Sequence, residues 1–232
     1  MLTIEKELRA LADPIIAEHS QRFFKTGKGE YGEGDIFLGV RVPMLRQLVR
    51  QHKEVSVEQA VGLLQSKFHE VRLLALFLLV NRFEKGSLEV QKEIYQIYLK
   101  QTEQINNWDL VDSSAHKIVG AYLLDKERKI LYQLAQSKVL WERRIAIIST
   151  FAFIDCGDFD DTLKISNKLL HDSEDLIHKA VGWALREVGK KDLQREEEFL
   201  KAHYQNMPRT MLRYAIEKFP EKLRKDYLNG NI

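Results

Sequence analysis

Asp112 follows Trp108 by four residues in the run Trp108-Asp109-Leu110-Val111-Asp112, so on a helix the carboxylate and the indole share one face, a turn apart. An ionised carboxylate stabilises positive charge developing on a reacting carbon, and an indole face attracts a cation. A second indole, Trp183, shares its helix face with Lys179, Arg186 and Lys190, at i−4, i+3 and i+7. Cations that meet phosphates and aromatics that stack on bases form the pattern of nucleic-acid recognition. The same residues have a structural reading. A tryptophan at helical spacing packs in a core, and Asp112 serves as a cap or as a partner to Arg144.

What positions these residues is an internal repeat. A basic residue followed by small and apolar ones recurs in Arg72-Leu-Leu-Ala75, Arg144-Ile-Ala146, Lys179-Ala-Val181 and Arg213-Tyr-Ala215. The last three are spaced by 35 and 34 residues, and Arg72 precedes Arg144 by 72, twice 36, which places Trp108 at the repeat between them. A period of about 35 residues, two helices to the unit, belongs to helical solenoids. The tetratricopeptide signature is absent, which favours HEAT-like pairs. In such an array equivalent positions align into columns: Arg72, Trp108, Arg144, Lys179, Arg213, and one turn on Leu76, Asp112, Ile148, Trp183, Glu217. The expected fold is therefore all-α, a HEAT-like helical-repeat solenoid forming a single domain over residues 1–232. A concave basic face would bring Trp108, Asp112, Arg144 and Trp183 together.

Local signals agree with helices throughout. Ser56 with Gln59 makes a capping box, Pro43 and Pro208 suit first turns, and Gly86 and Gly157 fall at helix exits. The stretch Gly27-Lys-Gly-Glu-Tyr-Gly-Glu-Gly34 has no preceding strand and no Gly-Lys-Ser/Thr close, so it reads as a flexible connector and not a phosphate loop. With 232 residues, 44% of them hydrophobic and 30% charged, the chain has ample material for a core. Its net charge of +2 leaves any DNA-binding surface to the arrangement of its charges. A single cysteine, Cys156, fits a reducing cytoplasm, and the apolar run Leu73 to Val80 is far short of the roughly 20 residues of a membrane span.

Other constellations carry less. Asp112 and His116 lie four apart near Ser113 and Ser114, with no nucleophile-elbow sequence to make a hydrolase of them. His171, His178, Asp172, Glu174 and Asp175 lack the compact spacings of a zinc site and read as a solvated helix start. Lys190 to Glu198 reads as an exposed face. No metal and no cofactor are expected.

The segment Asn106-Asn-Trp108-Asp-Leu-Val-Asp112-Ser-Ser114 closely resembles the signature helix of the DNA alkylation repair family, the AlkD-like HEAT-repeat DNA glycosylases. Phe37-Leu-Gly-Val40 with Pro43 and Arg46, Trp141-Glu-Arg143-Arg144, and Lys179-Ala-Val-Gly-Trp183-Ala-Leu-Arg186-Glu187 are similar to further motifs of that family, in order, over roughly residues 15 to 220. The resemblance implies that Asp112 is the catalytic carboxylate, that Trp108 and Trp183 wall the lesion, and that Arg144 is a DNA-backbone ligand that supports the site. Where some members carry a tyrosine on the first helix, this chain has Phe23, which keeps the ring and loses the hydroxyl. Resemblance and columns together give the expected DNA-binding set: Arg144, Arg143, Lys179, Arg186, Lys190, Arg213 and Phe23.

The implied reaction is hydrolysis of the N-glycosidic bond of cationic N3- or N7-alkylated purines in double-stranded DNA by a monomeric, monofunctional enzyme. The lesion already carries positive charge and leaves readily, so the demand falls on the sugar. Asp112 would stabilise the oxocarbenium-like deoxyribose and orient water. Two other classes compete: a non-catalytic HEAT-repeat protein that binds damaged or structured DNA, and a protein–protein scaffold.

Overall fold

The computed structural model describes residues 1–232. The chain is all-helical, with no β-strand and one isolated bridge pairing Ile36 with Phe68. No helix is long and apolar enough to cross a membrane. Two compact units divide it at Ser114 and Ala115.

Unit 1, residues 1–114, holds α1 (Thr3–Ala10), α2 (Pro14–Phe23), α3 (Val42–Gln51), α4 (Val57–Leu64), α5 (His69–Lys85), α6 (Leu88–Lys100) and the short α7 (Trp108–Asp112). The apolar α5 is its spine. Leu73, Leu74, Ala75, Leu76, Leu78 and Leu79 are all buried, and α3, α4, α6 and α7 pack on it. Ser56 and Gln59 close the capping box of α4 as expected, and Pro43 occupies the first turn of α3. The glycine-rich segment is not a loose connector. Glu30 and Glu33 accept backbone bonds from Gly27 (2.9 Å) and Gly29 (2.8 Å), folding it into successive turns after α2.

Unit 2, residues 115–232, opens with a wide helical turn of π type, His116–Gly120. It continues through α8 (Lys129–Leu134), α9 (Leu140–Ser149), α10 (Phe151–Asp155), α11 (Asp160–Lys168), α12 (Asp175–Lys191), α13 (Leu193–His203), α14 (Arg209–Ala215) and α15 (Glu221–Asn229). The repeat is visible in it: Arg144, Lys179 and Arg213 are each the fifth residue of their helices, α9, α12 and α14. Helix α12 packs on α9, α11, α13 and α14. It approaches α14 closely at Gly182, where a Cβ would collide with the Met211 carbonyl and with Tyr214. Only glycine lets these backbones meet there.

Candidate active site

In unit 1 the signature helix α7 begins at a cap. The Asn107 side chain accepts from the Trp108 backbone N–H at 2.8 Å, and the Asp109 carboxylate accepts from Leu110 N–H at 2.9 Å. Trp108 and Asp112 stand at its two ends, both half-buried, one turn apart on one face. Trp108 stacks on Phe24, with ring centroids 5.2 Å apart and planes at 16°, and meets the edge of Phe23 at 6.1 Å. Phe23 is itself 58% exposed. Behind Asp112 lies fully buried Tyr98, whose hydroxyl pairs with Ser114 Oγ at 2.9 Å. Burial pushes the Tyr98 phenol up, and the nearby charge of Asp112 pushes it further.

A buried ion network roots α7, and sequence reasoning did not find it. His69 bridges two carboxylates, Nδ1 to Asp35 Oδ2 at 2.9 Å and Nε2 to Asp109 Oδ2 at 2.8 Å. Asp35 also receives Arg72 Nη2 and the Asn107 side-chain amide (3.1 Å), while Arg72 reaches Asn106 Oδ1 at 3.0 Å and the Ser66 carbonyl at 3.1 Å. Burial opposes the charged form of His69, but the charge and hydrogen bond of Asp109, joined by Asp35, overcome it and push the imidazole up to about 9. Burial likewise works against Asp35. The His69 hydrogen bond and the Arg72 charge outweigh it and hold the carboxyl at about 2. Asn106 and Asp109, on either side of Trp108, thus tie the helix to α5 directly, and Asn107 ties it to Asp35. Glu70, next to His69, binds the backbone N–H groups of Leu38, Gly39 and Val40 at 2.8, 2.8 and 3.2 Å. Gly39 has φ +82° and a Cβ there would collide with the Asp13 carbonyl, so Phe37-Leu-Gly-Val40 is a loop that only glycine allows, built around the Glu70 carboxylate.

Arg72 therefore departs from the expected cationic column. It is 4% exposed and neutralises Asp35, so it faces no solvent phosphate. The available signal was the sequence His69-Glu70-x-Arg72 opening an otherwise apolar helix. Three polar residues do not enter a core unless they find partners there.

In unit 2, Trp183 is half-buried on α12 and meets Phe151 edge-on at 4.7 Å. A cavity of about 450 Å³ lies against it, lined by His116, Phe151, Arg186, Glu187 and Lys190 among others. The expected stripe is present, but it is charge-compensated. Glu187 accepts from Trp183 Nε1 at 3.0 Å and from Lys190 at 2.7 Å, Arg186 pairs with Glu217, and Lys179 pairs with Asp175 at 2.7 Å. These are surface pairs of low individual worth, readily exchanged for a phosphate. Arg213 is exposed on α14.

The two arginines of the Trp141 motif are placed differently from that stripe. Arg143 is locked in a two-pronged pair with Asp172 (2.6 and 3.1 Å) and bonds the Ser137 carbonyl. Arg144 is 5% exposed and donates to the Leu176 carbonyl at 2.5 Å. Asp172 is correspondingly no solvated helix-start acid, since its side chain is 5% exposed. Trp141 itself is buried. No group of three or more His, Cys, Asp or Glu side chains converges in a metal-binding arrangement.

Comparison with known proteins gives a consistent result. The family model described as DNA alkylation repair enzyme matches residues 4–219. Among solved structures, a predicted DNA alkylation repair enzyme from Enterococcus faecalis superposes with a TM-score of 0.72 at 20% identity, over 90% of this chain and 97% of that one. The smu.31 protein from Streptococcus mutans UA159 superposes at 0.56 and 18% identity, over 89% and 100%. No curated protein matches.

Proposed function

The chain belongs to the DNA alkylation repair enzyme family, and from that premise we propose that it is a glycosylase releasing cationic N3- and N7-alkylated purines from double-stranded DNA. The observation that carries the reading is α7. A short helix rooted by a buried ion network presents a tryptophan and a carboxylate one turn apart, neither of them consumed in the apolar core. Trp108 contacts the cationic nucleotide through its ring face, and Asp112 stabilises the positive charge that grows on the deoxyribose as the bond breaks. The base leaves with the bonding electrons, which neutralise its positive charge, water adds at C1′ and releases a proton to solvent, and an abasic site remains. Trp183 supplies a second aromatic contact to the DNA. Arg186, Lys190, Lys179 and Arg213 neutralise phosphates, and Arg143 and Arg144 hold unit 2 in shape beneath them.

Incubation with methylated duplex and chromatography of the soluble fraction test this reading. Free 3-methyladenine and 7-methylguanine should appear, at the same rate after exhaustive chelation. Release that EDTA abolishes and one divalent ion restores would overturn the metal-free mechanism, and DNA binding without release would return the chain to the non-catalytic class. Replacing both Lys179 and Arg186 with alanine should weaken binding to any sequence. It should also flatten the slope of log K against log salt by about 0.9 per lost phosphate contact. An unchanged slope removes them from the interface.

A further inference from the structure

Beyond Trp108, unit 1 contains a cavity of about 550 Å³, of the size that small-molecule sites have. Phe24 is common to both, stacking on Trp108 with one face and lining the cavity. Ile16, Phe37, Val40 and Leu73 make the wall largely apolar, and Phe23 leaves a well-exposed ring at its edge.

The charges around this cavity determine what it can accept. Two carboxylates line it, Glu70 and Asp109. Glu70 is consumed by three backbone N–H groups, and Asp109 is paired with His69. Both are already committed to partners within the protein. His69 is held as an imidazolium, His19 lies in the lining, and Arg41 is exposed at the start of α3 with no ion pair. Two carboxylates against His69 and Arg41 leave the lining without excess charge. Both carboxylates are already bonded, however, while the exposed Arg41 has no ion pair, so the open polar contact is one for an anion and not for a cationic base. The cavity suits a neutral aromatic ring that carries an anion.

We propose that this cavity receives an unstacked, unmodified nucleotide, its base against Phe23 and the apolar wall and its phosphate on Arg41. The inference rests on reading DNA as the substrate. Within a bound duplex, the nucleotide it fits is the neutral partner across from the lesion, whose stacking the damage has already weakened. Trp108 and the cavity would then sort the two bases of the damaged pair by charge.

The test uses the full chain with labelled Ile and Leu methyl groups, titrated with thymidine 5′-monophosphate and with thymidine. Saturable shifts at Ile16 and Leu73 are expected with both, about tenfold tighter for the monophosphate. Arg41→Ala should erase that difference. Ser20→Trp on α2 and Val42→Trp on α3, which fill the cavity from two different elements of its lining, should abolish the shifts while preserving the parental melting temperature. Should neither filled variant fold, the Arg41→Ala comparison decides alone. Absence of shifts at saturating nucleotide, shifts that persist in a folded filled variant, or binding indifferent to Arg41 would overturn the proposal. Base release measured on the same preparation separates the two readings. Release without nucleotide binding defeats only the cavity, and nucleotide binding without release defeats only the glycosylase.

Discussion

Asp112→Asn is expected to lower excision of 7-methylguanine by on the order of a thousandfold while leaving folding and DNA affinity close to parental. The substitution keeps shape and removes charge, so a step that develops positive charge is the one that suffers. At about 4 Å and an effective dielectric near 20, one such charge pair is worth on the order of 4 kcal/mol, which corresponds to that loss of rate. Trp108→Ala and Trp183→Ala should behave differently. Aromatic contacts form before bond cleavage as well as during it, so both lesion affinity and rate should fall. Single-turnover rates beside binding isotherms make the distinction. Asp112→Asn releasing base at the parental rate would return Asp112 to a structural acid.

The second large effect falls on stability. His69→Gln should destabilise unit 1 by roughly 3 kcal/mol, because it strips the shared cation from two carboxylates, the buried Asp35 and the half-buried Asp109. The pH dependence identifies the cause. The imidazole of His69 stands at about 9 against an ordinary 6.5, so its contribution is complete below about pH 6.5 and is lost as pH rises through 9. Asp35 stands at about 2 against 3.8, so its contribution is present above about pH 4 and is lost as pH falls through 2. Urea unfolding of the parent should therefore show greatest network stabilisation between about pH 4 and 6.5. A decline on the order of 3 kcal/mol should follow toward pH 9.5, and His69→Gln should lack it. A variant with the parental alkaline decline would show that His69 is not its source. Because the network anchors Asn107 and Asp109, His69→Gln should also loosen Trp108 and slow excision.

Much of this arrangement was legible in the sequence, and the gaps have physical causes. Periodicity gave the helices and the repeat, since amphipathic spacing and a fixed interval are properties of local sequence. The fifth-residue register of Arg144, Lys179 and Arg213 in unit 2 is that interval made structural. Periodicity says where a Cα falls, however, and not where a long side chain ends. Arg72 shares the column but turns inward, because Asp35, 37 residues upstream and just past the stretch that reads as a glycine-rich connector, offers it a buried carboxylate. Asp109 and Asn107 were visible as parts of a signature, yet their roles depend on His69, 40 residues away, and on Asp35, 72 residues away. Trp108 and Asp112 were legible because four residues on one helix fix their relation without any tertiary information. The acids that balance the cations of α12 split the same way. Glu187 was adjacent in sequence, whereas Glu217 reaches Arg186 only through the close α12–α14 contact at Gly182.

The central claim, that the lesion's own positive charge drives its release against Asp112, is tested most directly by comparing two duplexes. One carries a single 7-methylguanine and the other a single hypoxanthine, a neutral damaged purine, in the same sequence. Under single-turnover conditions the account predicts prompt release of 7-methylguanine and no release of hypoxanthine above the uncatalysed background. Release of both at similar rates, or of neither, would contradict it.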